Sequence, residues 1–191
     1  LFSPPSPKDV PKIAEALSTI KKLISPNDKA KDTEMSLSEL PKETQKDIKR
    51  QLVNMREENK LKEFNTKITN NSKEFNKQLD IISTEFGVDK RITKAIGSVE
   101  TSSGTNIRRS TAGAIGPMQI MPSTINLIVN GTFKAPASLG FTVDGIKRDY
   151  EMNMRAGTWL IKEALKRYRN IGTDKLKFVF AEYNTGGKNI S

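Results

Sequence analysis

Apolar residues in this sequence recur in steps of three, four and seven, while convincing steps of two are scarce. A helix brings residues three or four apart onto one face and a strand alternates faces, so the spacing predicts a mostly α protein. The pattern first runs through Ile13, Ala16, Leu17, Ile20, Leu23 and Ile24 until Ser25-Pro26 stops it. It predicts a short amphipathic helix behind the Pro-rich stretch Leu1 to Pro11, where residues preceding proline are pushed out of helical space. A longer stripe begins behind Pro41 with Ile48, Leu52 and Met55 and continues through Leu61, Phe64, Ile68, Phe75, Leu79, Ile82 and Phe86. Asn70-Asn71 interrupts it, leaving open one long helix or two. Such stripes read as packing or spacer faces. Gly87-Val88-Asp89 then predicts a helix end followed by an N-cap, with Ile92, Ala95, Ile96 and Val99 on the next buried face. A small, polar loop follows from Gly104 to Gly116, and further helices are expected over Met118 to Val129, Met152 to Arg169 and Leu176 to Tyr183. The organisation is a linker and short helix over 1–40, a long amphipathic segment over 41–76 and a main domain over 77–191.

A length of 191 residues suits one main core with an appendage, or two small domains. No apolar run approaches the roughly 20 residues of a membrane-spanning helix. The chain has no Cys and no His, which excludes disulfide scaffolds, Cys/His zinc sites and nucleophiles activated by imidazole. Acid–base work must fall to carboxylates, Lys or Tyr. The net charge of +10 favours an anionic partner such as nucleic acid, lipid headgroups or a bacterial wall. Residues 1–76 carry 15 basic and 12 acidic side chains and residues 77–191 carry 17 and 10, so the excess sits mainly in the main domain. No aromatic-interleaved basic motif accompanies the charge, which argues against nucleic acid.

Between Lys90 and Val143 the sole acidic residue is Glu100. It continues the row Ile92, Ile96 in steps of four, so its carboxyl group should emerge where an apolar helix face meets the loop. Partial desolvation there disfavours the charged form and raises the pKa toward what a general acid needs. A helix-terminal Glu in solvent, or one paired with Arg108 or Arg109, is the plainer alternative. Next comes GAIGPMQIMPST over 113–124, in which two glycines permit tight turns ahead of an apolar helix. Together these residues resemble the lytic transglycosylase family of the soluble, lysozyme-like kind. Its first motif is a catalytic Glu followed by Ser, against Glu100-Thr101 here, and its second reads close to G-A-x-G-x-M-Q-I-M-P-x-T. The third, N-I-x-x-G-x-x-Y-L, is similar to Asn153 through Leu160, and the fourth, A-Y-N-x-G, to Glu182-Tyr183-Asn184-Thr185-Gly186. The four motifs occur in order over residues 77–191.

The resemblance implies a lysozyme-like α-helical transglycosylase domain with an N-terminal helical appendage. It implies Glu100 as general acid and then base, with Thr101, Met118, Gln119, Tyr183 and Asn184 against the sugars and Tyr183 near the catalytic carboxyl. Gly113, Gly116, Asn153 and Gly157 serve as structural motif residues, while Trp159 and Tyr150 are favoured as core aromatics over sugar-stacking platforms. Thr101 departs from the usual Ser, and the loop between Glu100 and Gly113 is one residue longer, with Ser103-Gly104-Thr105 replacing F-N-P. The stretch around Glu100 offers no second acid for a two-carboxylate mechanism. What the resemblance implies is cleavage between N-acetylmuramic acid and N-acetylglucosamine with closure of a 1,6-anhydro ring, using no metal or cofactor. A lysozyme-like muramidase and a non-catalytic wall-binding or assembly module are the alternatives. The expected partner is the glycan strand of peptidoglycan, with no nucleic acid and no membrane span. A start at Leu1 without a signal pattern, and the helical appendage, are read as a piece of a machine that pierces the wall locally. A virion protein is favoured, with other components of that virion or of a secretion or conjugation apparatus as further partners. The periplasm or cell envelope is the other location.

Overall fold

The computed structural model describes residues 41–185, and the chain divides into two compact units, Leu1–Lys49 and Arg50–Ser191. The expected Pro-rich linker, the short helix from Ile13 and Gly186 of the fourth motif lie outside the described residues. Among the described residues seven α-helices follow one another: α1 Lys42–Ile68, α2 Ser72–Phe86, α3 Lys90–Thr101, α4 Pro122–Asn130, α5 Val143–Arg148, α6 Tyr150–Arg167 and α7 Lys175–Thr185. Two 3-10 turns, Ala137–Leu139 and Gly172–Asp174, precede α5 and α7. Among the described residues there is no strand, only an isolated bridge between Ile115 and Ile120. The described part of the protein is mostly α, as the periodicity predicts.

Asn70-Asn71 separates two helices rather than bending one. Asn70 takes a left-handed φ of 56°, and the Asn71 side-chain oxygen caps α2 by accepting the Glu74 backbone N–H at 3.1 Å. Helix α2 ends on Gly87 at φ 67°, and Asp89 caps α3 by accepting the Arg91 N–H at 2.9 Å. The Arg91 guanidinium beside it holds the Asp89 carboxyl down at about 2. The predicted helix end and N-cap are both present. Phe75, Leu79, Ile82 and Phe86 of α2 are buried, and each such side chain contributes about 1.5–3 kcal/mol relative to exposure. Gly97 lets α3 approach closely: a β-carbon there would stand 2.9 Å from the Phe75 ring. Across the same contact the Ser83 and Thr93 hydroxyls share a hydrogen bond of 2.6 Å.

Helix α6 is the central element. Asn153, Met154, Ala156, Gly157, Thr158, Trp159, Ile161 and Ala164 are all buried, so it is enclosed on most sides by α2, α5 and α7. Trp159 is a core aromatic, edge-on to Phe141 with ring centroids 6.4 Å apart. Helix α4 begins at Pro122 rather than at Met118, because Gly116 to Gln119 form a tight turn closed by reciprocal Ile115–Ile120 backbone bonds of 3.1 and 3.0 Å. The six-residue α5 is too short to leave a periodic signal, and no helix was expected there.

Candidate active site

Glu100 sits in the last turn of α3, where the helix meets the loop leading to the Gly116 turn. It is half-buried, and burial alone raises its carboxyl above the ordinary glutamate value. Neither Arg108 nor Arg109 pairs with it; among the described residues its carboxyl has no ion pair or hydrogen bond. The charged form is thus disfavoured with no compensating cation, which is how a carboxyl group is kept available as an acid.

A cavity of about 340 Å³ opens beside it, with Gln119, Glu182, Tyr183 and Asn184 among its lining and Phe133 and Leu160 on its apolar wall. The structure therefore brings Glu100 of α3 together with three of the expected site residues, Gln119 from the Gly116 turn and Tyr183 and Asn184 from α7. Gln119 stands at a left-handed φ of 47°, and its side-chain amide donates to the carbonyls of Arg108 at 2.9 Å and Gly116 at 2.8 Å. Those bonds stitch the loop to the turn. The Tyr183 hydroxyl donates to the Met118 carbonyl at 2.9 Å. Burial, and then the nearby charge of Glu100, push this phenol well above its ordinary range, so it remains a neutral donor. Tyr183→Phe is expected to lower stability by about 1–2 kcal/mol, since it strips a part-buried carbonyl of its donor while keeping the ring. Denaturant unfolding checks this, with an unchanged midpoint as the contrary result.

Two residues expected against the sugars are buried beside the cavity. Met118 is fully buried, and its side chain packs on Gly157 instead of lining the cavity: a β-carbon at 157 would lie 2.7 Å from the Met118 β-carbon and 2.8 Å from the Tyr183 hydroxyl. Thr101 is likewise buried. Its hydroxyl lies 3.0 Å from the Pro117 carbonyl and 3.2 Å from that of Gly97, and accepts the Gly104 N–H at 3.2 Å. Both residues shape the floor from beneath. Asn153, also fully buried, accepts the Met118 N–H at 2.9 Å and donates to the carbonyls of Ile115 and Ile146, each at 3.1 Å. Gly116, at φ 78°, allows this approach, because a β-carbon there would fall 2.5 Å from the Asn153 amide carbon. Gly113, at φ 92°, makes a turn closed by its N–H bond to Ser110 at 2.8 Å.

Sequence reasoning missed Glu182, a second carboxylate in the cavity. It comes from α7, far along the chain from Glu100, and the only available signal was an acidic residue at the first position of the fourth motif. Glu182 is buried but ion-paired with Arg167 of α6, through Nη2 and, at 3.3 Å, through Nε.

A helical domain whose cavity holds one unpaired carboxyl among polar side chains and an apolar wall can deliver a proton to a bound molecule. The family model of the transglycosylase SLT domain matches residues 79–191, more than half of the sequence, and the chain belongs to that family. At the level of the family this carries a lytic transglycosylase-type or lysozyme-like activity with peptidoglycan as the substrate. No solved structure matches the chain. Among the described residues no helix is long and apolar enough to cross a membrane.

Proposed function

We propose that the protein is a peptidoglycan lytic transglycosylase that uses Glu100 as its acid and then its base. The single observation carrying this reading is that, of the two carboxyl groups in the cavity, Glu182 is held by Arg167 while Glu100 is unpaired and raised by burial. A glycosidase working through two carboxyl groups sets both beside the scissile bond; here one of the two is turned to a guanidinium. Glu100 in its protonated form donates to the oxygen linking N-acetylmuramic acid to N-acetylglucosamine, and the bond from that oxygen to the muramyl C1 breaks. The muramyl N-acetyl group stabilises the positive charge developing at C1. The C6 hydroxyl of the same sugar then bonds to C1, and Glu100 takes its proton. The 1,6-anhydro ring closes, the carboxyl is again protonated, and no water is consumed. Gln119, whose two amide N–H groups are engaged, offers its side-chain oxygen as an acceptor to the sugar hydroxyls and N-acetyl N–H groups, Asn184 offers its amide, and Phe133 and Leu160 offer an apolar face to a ring.

The presence of Glu182 favours one alternative worth separating: hydrolysis of the same bond by water, as in a muramidase. The deciding measurement is mass spectrometry of soluble products released from purified sacculi. Muropeptides lighter by one water than reducing-end products are expected; reducing-end products would assign hydrolysis. No soluble product at all would leave a wall-binding module. The setting that fits such a domain is local opening of a cell wall, by a virion or by an envelope-spanning machine.

A further inference from the structure

A second cavity, of about 390 Å³, shares a wall with the first. It is bounded by Ile107, Arg108 and Arg109, by Ile115, Gly116 and Pro122, and by Lys147 and Tyr150. The two cavities draw on adjoining residues of one segment: Ser110, Ala114 and Met121 line the first, while Arg109, Ile115 and Pro122 line the second. The Gln119 amide bond to the Arg108 carbonyl ties them together.

This second cavity is one-sided in charge. Arg108, Arg109 and Lys147 contribute three cations and no acid lines it. Among the described residues none of the three has an ion-pair partner. The acids nearest in sequence are engaged: Asp144 pairs with Arg148 at 3.2 Å, and the Asp149 carboxylate caps α6 by accepting the N–H groups of Glu151 and Met152 at 2.8 and 3.2 Å. Three like charges facing one concavity repel each other, and a bound anion relieves that repulsion. Two guanidinium forks match a carboxylate's paired oxygens. Ile107, Ile115, Pro122 and the Tyr150 ring add an apolar lining that suits small aliphatic side chains.

We propose that this basic cavity seats a carboxylate of the peptide stem branching from the glycan strand that occupies the neighbouring cleft. The proposal rests on peptidoglycan being the substrate. A stem attached to a sugar already in the cleft reaches the shared wall as part of the same molecule, so its effective concentration there is high. The apolar walls favour a peptide bearing methyl groups over a bare phosphodiester chain.

The test is a titration of the wild-type protein, followed by amide chemical shifts, with three probes: a free tetrapeptide stem, the same peptide with its carboxylates amidated, and glycerol phosphate. The free stem should shift the amides of Arg108, Arg109, Ile115 and Gly116, and amidation should weaken binding about tenfold or more. Arg108→Gln/Arg109→Gln should weaken it similarly while leaving the rest of the spectrum in place, since both side chains are exposed. Equal binding of the amidated peptide, unchanged affinity in the double variant, or tighter binding of glycerol phosphate would each overturn the proposal. None of these readouts involves cutting. A wild-type protein that binds stems but leaves sacculi intact refutes the transglycosylase reading and not this one.

Discussion

Glu100→Gln is expected to lower release of soluble muropeptides from sacculi by about a thousandfold or more, with the fold intact. Gln keeps the size and the amide dipole but can neither deliver a proton to the glycosidic oxygen nor take one from the C6 hydroxyl. Residual rate above a few per cent of wild type would move the acid to another group, with Glu182 the first to examine. The pH dependence has a definite sign. Because burial raises the Glu100 carboxyl, the protonated, proton-donating form persists further toward neutrality than for a free glutamate. The rate should fall as pH rises through that raised value, and this limb should be absent from whatever activity the variant retains. Stability runs the same way: a group whose folded pKa is raised favours the folded state fully below its unfolded pKa, and loses that contribution as pH rises through the folded value. Glutamine carries no charge to desolvate, so the variant should melt no lower than wild type at neutral pH. A lower melting temperature would mean that the carboxylate makes a favourable contact instead of bearing a burial cost.

The half-buried place of Glu100 at the end of α3 was legible from helical spacing after Ile92 and Ile96 and from the lack of any other acid over a long stretch, whereas its role as acid and base came only from the resemblance of the four motifs. The caps at Gly87 and Asp89 were legible for a similar reason, since a cap is written in one or two adjacent residues. What stayed hidden depends on side-chain direction or distant pairing. Gln119 and Met118 are adjacent, yet Gln119 at positive φ faces the cavity and Met118 points into the core, a reversal imposed by the Gly116 turn that spacing cannot reveal. Thr101 follows Glu100 directly, but one step around a helix rotates it about 100°, from cavity to interior. The pairing of Glu182 with Arg167 joins neighbouring helices, and neither residue stands out alone. That pairing bears on the chemistry, because it ties one of the two cavity carboxylates to a cation and leaves Glu100 as the unpaired one.

Asn153→Ala is expected to cost about 3–5 kcal/mol of stability, among the largest effects for one substitution. The side chain is fully buried and satisfies three backbone groups: the Met118 N–H and the carbonyls of Ile115 and Ile146. Alanine removes every partner at once, and water has no ready access to replace them. Asn153→Asp should be no better near neutrality, since a carboxylate would face two carbonyls that need donors, and it should recover as pH falls and the acid is protonated. Gly116→Ala should also be severe, because its β-carbon would overlap the Asn153 amide at a left-handed φ. The two losses should not add. With alanine at 153 the obstructing amide is gone, so the double variant should lose less than the sum of the singles, retaining only the strain at φ 78° and the orphaned backbone groups. Denaturant unfolding of the four proteins measures this coupling, and strict additivity would show that Asn153 and Gly116 act independently. Cleavage should fall further than stability accounts for, even where the protein stays folded. The turn they fix carries Gln119 into the cavity and presents the Met118 carbonyl to Tyr183, so loosening it moves the floor on which Glu100 and the sugar must meet.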